Sequence, residues 1–253
     1  SLPRLRRLDA RRSRISHCGE ISLATKLEEL DLSYCPIDDV SPLVSIPALK
    51  VLHLAGTQVE DIQFMRDLHH LVELDLSNTR IKSLKGIKQL AKLETLILKG
   101  LTLKDVSTLE SIKTLKKLDF SETHFGNYDV LAKLKSLEGL VLRNAAIRST
   151  ESLAGLVNLE MLDLSGTAIT SVAGLQTMRA LKKLDISGTK LQSLEPLRLL
   201  KALKTLYFRS GQAPTLEPIS GLTALEELAL GSSSVVGIGA IAKLTRLKEL
   251  RLD

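Results

Sequence analysis

Six aspartates, Asp9, Asp31, Asp75, Asp119, Asp163 and Asp185, stand at multiples of 22 residues from one another. Closely set carboxylates suit general acid–base chemistry when one of them is kept dry enough to hold its proton. Asp163 and Asp185 fall on neighbouring strands in the register derived below, but an open ladder offers no pocket to dry them. The histidines are His17, His53, His69, His70 and His124, and none joins a Cys or carboxylate at metal-ligand spacing. His69 and His70 sit in the turn before a strand, and His53 stands alone on the sheet. Ser-Gly-Thr at 165–167 and 187–189 punctuates the chain and is not a phosphate-cradling loop. Cys18 and Cys35 fall on interior positions and read as buried free thiols, with a disulfide or a reactive thiol as the alternative. The expectation is no catalytic residue, no metal, no cofactor and no enzyme.

What positions these residues is a period. Leu5, Leu27, Leu49, Leu71, Leu93, Leu115, Leu137, Leu159, Leu181, Leu203, Leu225 and Leu247 are spaced by 22 residues, and the residue three further on is Leu every time. A period of this length is the mark of a solenoid, whose repeats bury their apolar edges against their neighbours. Counting from that Leu, positions 1, 4 and 6 are apolar, as in Leu71, Leu74 and Leu76. Positions 4 and 6 share a face of a short strand. Each strand should pair in parallel with the next, leaving positions 3, 5 and 7 on the exposed sheet face. Position 9 is usually a hydroxyl or thiol (Cys35, Thr57, Thr79, Thr123, Thr167, Thr189). Its copies should bond to the backbone and stack as a ladder; Leu101, Ala145 and Gly211 break the rule and mark irregular turns. Position 13 runs Asp39, Asp61, Ser83, Asp105, Asn127, Ser149, Ser171, Ser193, Thr215, all helix N-cap residues. Apolar residues follow, and Pro42, Pro196 and Pro218 lie in the first turn, where Pro is tolerated. The outer segments should be one or two turns of α or 3-10 helix, with the sheet concave.

The pattern LxxLxLxx(T/C)xI, followed by segments such as DVSPLVSIPA at 39–48, resembles the leucine-rich repeat family over essentially the whole chain. The 22-residue length is similar to the class of internalins and of the type-1 phosphatase regulator, although Thr or Cys stands where that class has Asn. The Thr/Cys variant also resembles repeat arrays of kinetoplastid protists. The fold class is thus an α/β solenoid of about 12 repeats, one domain over 1–253. The resemblance implies a protein-binding scaffold whose partner sits on the concave sheet. The alternatives are a regulatory subunit of a phosphatase or cyclase, or an anchor to an acidic surface.

On that sheet, Asp–Ser repeats alternate with repeats carrying an apolar or imidazole side chain. His53, Ile97, Lys99, Val141, Arg143, Met161, Tyr207 and Arg209 are the candidate contacts, with Tyr207 and Arg209 of the types most enriched in hot spots. Strand spacing of ~4.8 Å lets Lys99 reach Asp75 or Asp119, and Arg143 reach Asp119 or Asp163. These bases either separate stacked like charges or frame contact points.

The net charge of +6 is concentrated: residues 1–14 carry six Arg against Asp9, and the remainder is near neutral with 29 bases and 28 acids. Arg7, Arg11 and Arg12 mark this basic end. They pair with Glu29 and Asp31 or with an upstream repeat, or else bind an acidic partner, anionic lipid or phosphate. The Asp column and the scarcity of aromatics, at 3%, argue against nucleic acid. No run approaches a membrane span, no signal peptide opens the chain, and no N-x-Ser/Thr sequon occurs, so an intracellular, cytoplasmic protein is expected. Neither end carries a polar cap. The chain therefore reads as a fragment of a longer protein, with end-to-end self-association through the edge strand bearing Leu247, Leu250 and Leu252.

Overall fold

The computed structural model describes residues 2–253, which divide into two compact units meeting after Gly126. Each unit is a ladder of three-residue strands. The first unit holds β1 (Arg7–Asp9), β2 (Glu29–Asp31), β3 (Val51–His53), β4 (Glu73–Asp75), β5 (Thr95–Ile97) and β6 (Lys117–Asp119). The second holds β7 (Gly139–Val141), β8 (Met161–Asp163), β9 (Lys183–Asp185), β10 (Thr205–Tyr207), β11 (Glu227–Ala229) and β12 (Glu249–Arg251). Within each unit consecutive strands pair in parallel, and every residue faces the one 22 positions on, as in Leu8↔Leu30 and Leu162↔Leu184. The expected register is met residue for residue.

Burial explains why the register is strict. From Leu27 to Leu228, the residues at positions 1 and 4 are at most 2% exposed. Burying such a side chain contributes about 1.5–3 kcal/mol, and a slip of one residue would turn the whole set to solvent. Phe120 and Phe208 take position 6, and room for the second ring comes from Gly211, where any Cβ would collide with the Phe208 ring. The missing hydroxyl at 211 thus has a packing cause.

The return path is 3-10 helix throughout, in segments of three or five residues such as Ser41–Ser45 and Ala173–Leu175. All nine position-13 side chains accept a backbone N–H two residues on, from Asp39 with Ser41 at 2.8 Å to Thr215 with Glu217 at 3.2 Å. They stand one residue earlier than a helix N-cap, because the apolar position 14 (Val40, for example) occupies the cap itself without a side-chain bond.

The position-9 hydroxyls bond to the backbone, as expected, and two other expectations are corrected. Thr57, Thr79, Thr123, Thr167 and Thr189 each donate to the carbonyl three residues back, at 2.5–2.8 Å. Ser13 and Cys35 touch across repeats, at 3.3 Å. The turns at Leu101 and Ala145 are regular, with the same backbone bond to the residue three before, at 3.3 and 3.0 Å. And position 7 is not uniformly exposed: Ser33, Ser77, Ser121 and Ser165 are buried, as is Ala229 at position 5. Small side chains on a sheet face are covered by longer neighbours.

The thiols are quiet. Burial, then the charge of Asp39, pushes the Cys18 thiol up to about 11, and Cys35 donates to the Ala10 carbonyl at 3.1 Å. A thiolate-directed reagent at neutral pH should label neither cysteine before unfolding. Mass analysis after brief maleimide treatment checks this, and rapid native labelling at Cys18 would contradict it.

Candidate functional site

The strand ends dictate which sheet-face groups are free. The chain must turn sharply after each strand, and position 8 takes the left-handed conformation in all eleven repeats that contain the turn, with φ from 53° to 73°. Gly fits there at no cost, whereas Arg12, Tyr34 and Glu122 do not. The aspartate at position 5 closes the turn by accepting the position-7 amide: Asp31 from Ser33 at 2.9 Å, Asp75 from Ser77 at 2.8 Å, Asp119 from Ser121 at 2.7 Å, Asp163 from Ser165 at 2.8 Å and Asp185 from Ser187 at 2.9 Å. The acids that might have looked catalytic are therefore turn-closing groups.

This changes the expected ion pairs. Lys99 reaches Glu122 at 3.3 Å, not Asp75 or Asp119, and Arg143 donates to the Ser165 hydroxyl at 3.2 Å, not to Asp163. Asp119 and Asp163 accept the amides of Ser121 and Ser165 instead. Ile97 in the first unit is half-buried, as are Val141 and Met161 in the second.

In the first unit, His53 bridges three strands, Nδ1 at 3.4 Å from Asp31 and Nε2 at 2.8 Å from Glu73. It lines a cleft of about 240 Å³ with Arg7, Asp9, Glu29, Asp31 and Val51. Burial disfavours its imidazolium, but the Glu73 and Asp31 carboxylates outweigh that and raise its pKa. A raised pKa stabilises the fold fully below the unfolded value of about 6.5, and the benefit is lost as pH rises through the folded value. His53→Gln should therefore lower the melting temperature more at about pH 5.5 than at about pH 8.5. Equal losses at both pH values would contradict the bridge.

The basic end is engaged internally. Arg7 pairs with Glu29 at 3.0 Å, and Arg11 pairs with Asp9 at 2.7 Å and Asp31 at 3.4 Å. Hydrogen bonds from the Arg11 side chain and then its amide lower the Asp9 pKa to about 2. Arg12 lies 5.3 Å over the Tyr34 ring.

In the second unit, Tyr207 stands half-buried with its hydroxyl donating to Glu227 at 2.9 Å. Burial and that carboxylate raise its pKa. Lys183 Nζ and the Arg209 guanidinium carbon sit 5.4 and 5.5 Å from the ring centroid. Lys183 belongs to this cluster and was not foreseen; its signal was a base at position 3 of the strand beside Tyr207. Also unforeseen are the ion pairs of the position-2 column, Glu28 with Lys50 at 2.7 Å, Glu94 with Lys116 at 2.9 Å and Glu160 with Lys182 at 2.7 Å. Among the described residues no group of three or more His, Cys, Asp or Glu is placed to hold a metal ion, and no helix is long and apolar enough to cross a membrane.

Two family profiles match the sequence. One, described as Leucine Rich repeats (2 copies), covers residues 25–67 and 157–199. The other, described as the Endo-beta-N-acetylglucosaminidase EndoS LRR domain, covers residues 68–166. No curated protein matches the sequence. Among solved structures, an internalin (inlF) of Listeria monocytogenes is 20% identical over 98% of this chain and 87% of its own, with a TM-score of 0.73. A leucine-rich repeat protein of Leptospira interrogans is 23% identical over 98% of this chain and 72% of its own, with a TM-score of 0.75. TLR13, solved in a complex with ssRNA13, is 20% identical over 99% of this chain and 42% of its own, with a TM-score of 0.73.

Proposed function

We propose that this chain, which belongs to the leucine-rich repeat family, is a non-catalytic protein-interaction module that presents its sheet face to a partner. The observation that carries this reading is the division of labour on that face. Aspartates and serines are engaged in closing turns, whereas Ile97, Val141, Met161 and Tyr207 remain half-exposed on a backbone fixed by parallel pairing. Rigid apolar and aromatic side chains with bases beside them are what binding hot spots are made of. The contact residues of this reading are His53, Ile97 and Lys99 in the first unit, and Val141, Arg143, Met161, Tyr207 and Arg209 in the second. The basic end at Arg7, Arg11 and Arg12 is secondary, since those guanidinium groups already have partners within the chain. An intracellular setting, argued from buried thiols and missing sequons, belongs to the same reading.

The TLR13 complex makes RNA the natural competitor as a ligand class. The acidic sheet positions disfavour it, because phosphates laid along them would meet Asp31, Asp75 and Asp119 in the first unit. The test is affinity for a purified partner: Tyr207→Ala should weaken binding at least about ten-fold, a loss of about 1.4 kcal/mol, without changing the melting temperature. Undiminished affinity in Tyr207→Ala, or a tighter complex with single-stranded RNA than with protein, would overturn the proposal.

A further inference from the structure

The second unit shows an asymmetry in how its cations are satisfied. On the rim, Lys182, Lys204 and Lys248 each have a carboxylate at 2.7, 3.4 and 2.5 Å. On the sheet face of β7–β10, Arg143, Lys183 and Arg209 form no ion pair, among the described residues, although Asp163 and Asp185 stand on the same strands. Those two aspartates are turned to Ser165 and Ser187 and accept their amides. The three cations are exposed, and Val141, Met161 and Tyr207 stand half-buried among them, each beside a charged residue of a neighbouring strand: Val141 beside Asp163, Met161 beside Lys183 and Tyr207 beside Asp185.

Resting on the reading of this face as the binding surface, we propose that its partner is a protein segment whose acidic side chains bracket an apolar or aromatic residue. Lys183 and Arg209 both lie within 5.5 Å of the Tyr207 centroid, so their charges are at most about 11 Å apart. Two acidic residues two or three positions apart in an extended segment span ~7–10 Å, which falls within that limit. The residue between them would cover the Tyr207 ring and exclude water, where charge-assisted hydrogen bonds are strongest.

The probe is a fluorescein-labelled random copolymer of Glu and Tyr, titrated with the whole chain and followed by anisotropy, beside a Lys–Tyr copolymer and polyphosphate. The expected result is saturable binding of the Glu–Tyr copolymer, weakened about ten-fold or more by Arg143→Glu/Lys183→Glu/Arg209→Glu. The same change of net charge placed off the sheet, Lys135→Glu/Arg148→Glu/Lys190→Glu, should leave it within about two-fold. If charge reversal lowers the melting temperature, the Gln triple variant replaces it with the same expected direction. Absent binding, equal loss in both triple variants, or tighter binding of polyphosphate with the same dependence overturns the proposal. Failure here is separable from failure of the underlying reading. A partner lost on Tyr207→Ala but indifferent to charge reversal keeps the face and discards the acidic segment.

Discussion

Gly174→Ala should lower stability by about 3 kcal/mol, the upper end of the range for overpacking. A Cβ at this position would collide with the carbonyl of Thr150 in the preceding repeat, a backbone atom that cannot swing aside. The same amide donates to the Thr150 hydroxyl at 3.1 Å, and that hydroxyl donates to the Ser171 carbonyl at 3.2 Å, so separating the two 3-10 segments strains both bonds. Gly239→Ala is the matched control. It opens a 3-10 segment of the same unit with no atom within 4 Å of the added methyl, and its effect should stay within about 0.5 kcal/mol. Urea unfolding of the two variants checks this. Equal midpoints would mean that neighbouring return segments are not in contact as described.

Thr167→Val should destabilise by about 1–3 kcal/mol, because the Leu164 carbonyl would lose its bond from the 3%-exposed hydroxyl while staying out of reach of water. Thr177 makes a bond of similar length, 2.7 Å to the Ala154 carbonyl, but is exposed. Thr177→Val should therefore change stability by less than about 0.5 kcal/mol, since water can replace the hydroxyl. If the two valine variants melt together, burial is not what makes the position-9 hydroxyl matter.

The strands, their parallel register and the core columns were legible because a strict 22-residue period carries its own alignment. A single residue of slip would have exposed Leu52 or Leu162. The left-handed position 8 was less legible: Gly56 and Gly166 signal it, but Arg12, Tyr34 and Glu122 hide it, since the flanking Asp–amide and position-9 bonds impose a conformation those residues would not choose. Lys99 and Arg143 were assigned partners by reach alone. Reach counts which charges are near, but the aspartates had nearer donors in their own turns. Tyr207 and Arg209 were visible as a pair, whereas Lys183 was not, because its column follows no pattern, running from Arg7, Glu29 and Val51 to Gly139, Met161 and Glu249. The Glu28–Lys50 pair and its counterparts were present in the sequence as opposite charges 22 residues apart.

Site-specific photocrosslinking tests the sheet face as the binding surface most directly. A benzophenone side chain is placed in turn at Ile97, Val141, Met161 and Tyr207 on the sheet, and at Val44 and Val157, which are exposed on the return side. A partner should be trapped from the sheet positions and not from Val44 or Val157. Crosslinks to the same partner from the return side, with none from the sheet, would contradict it.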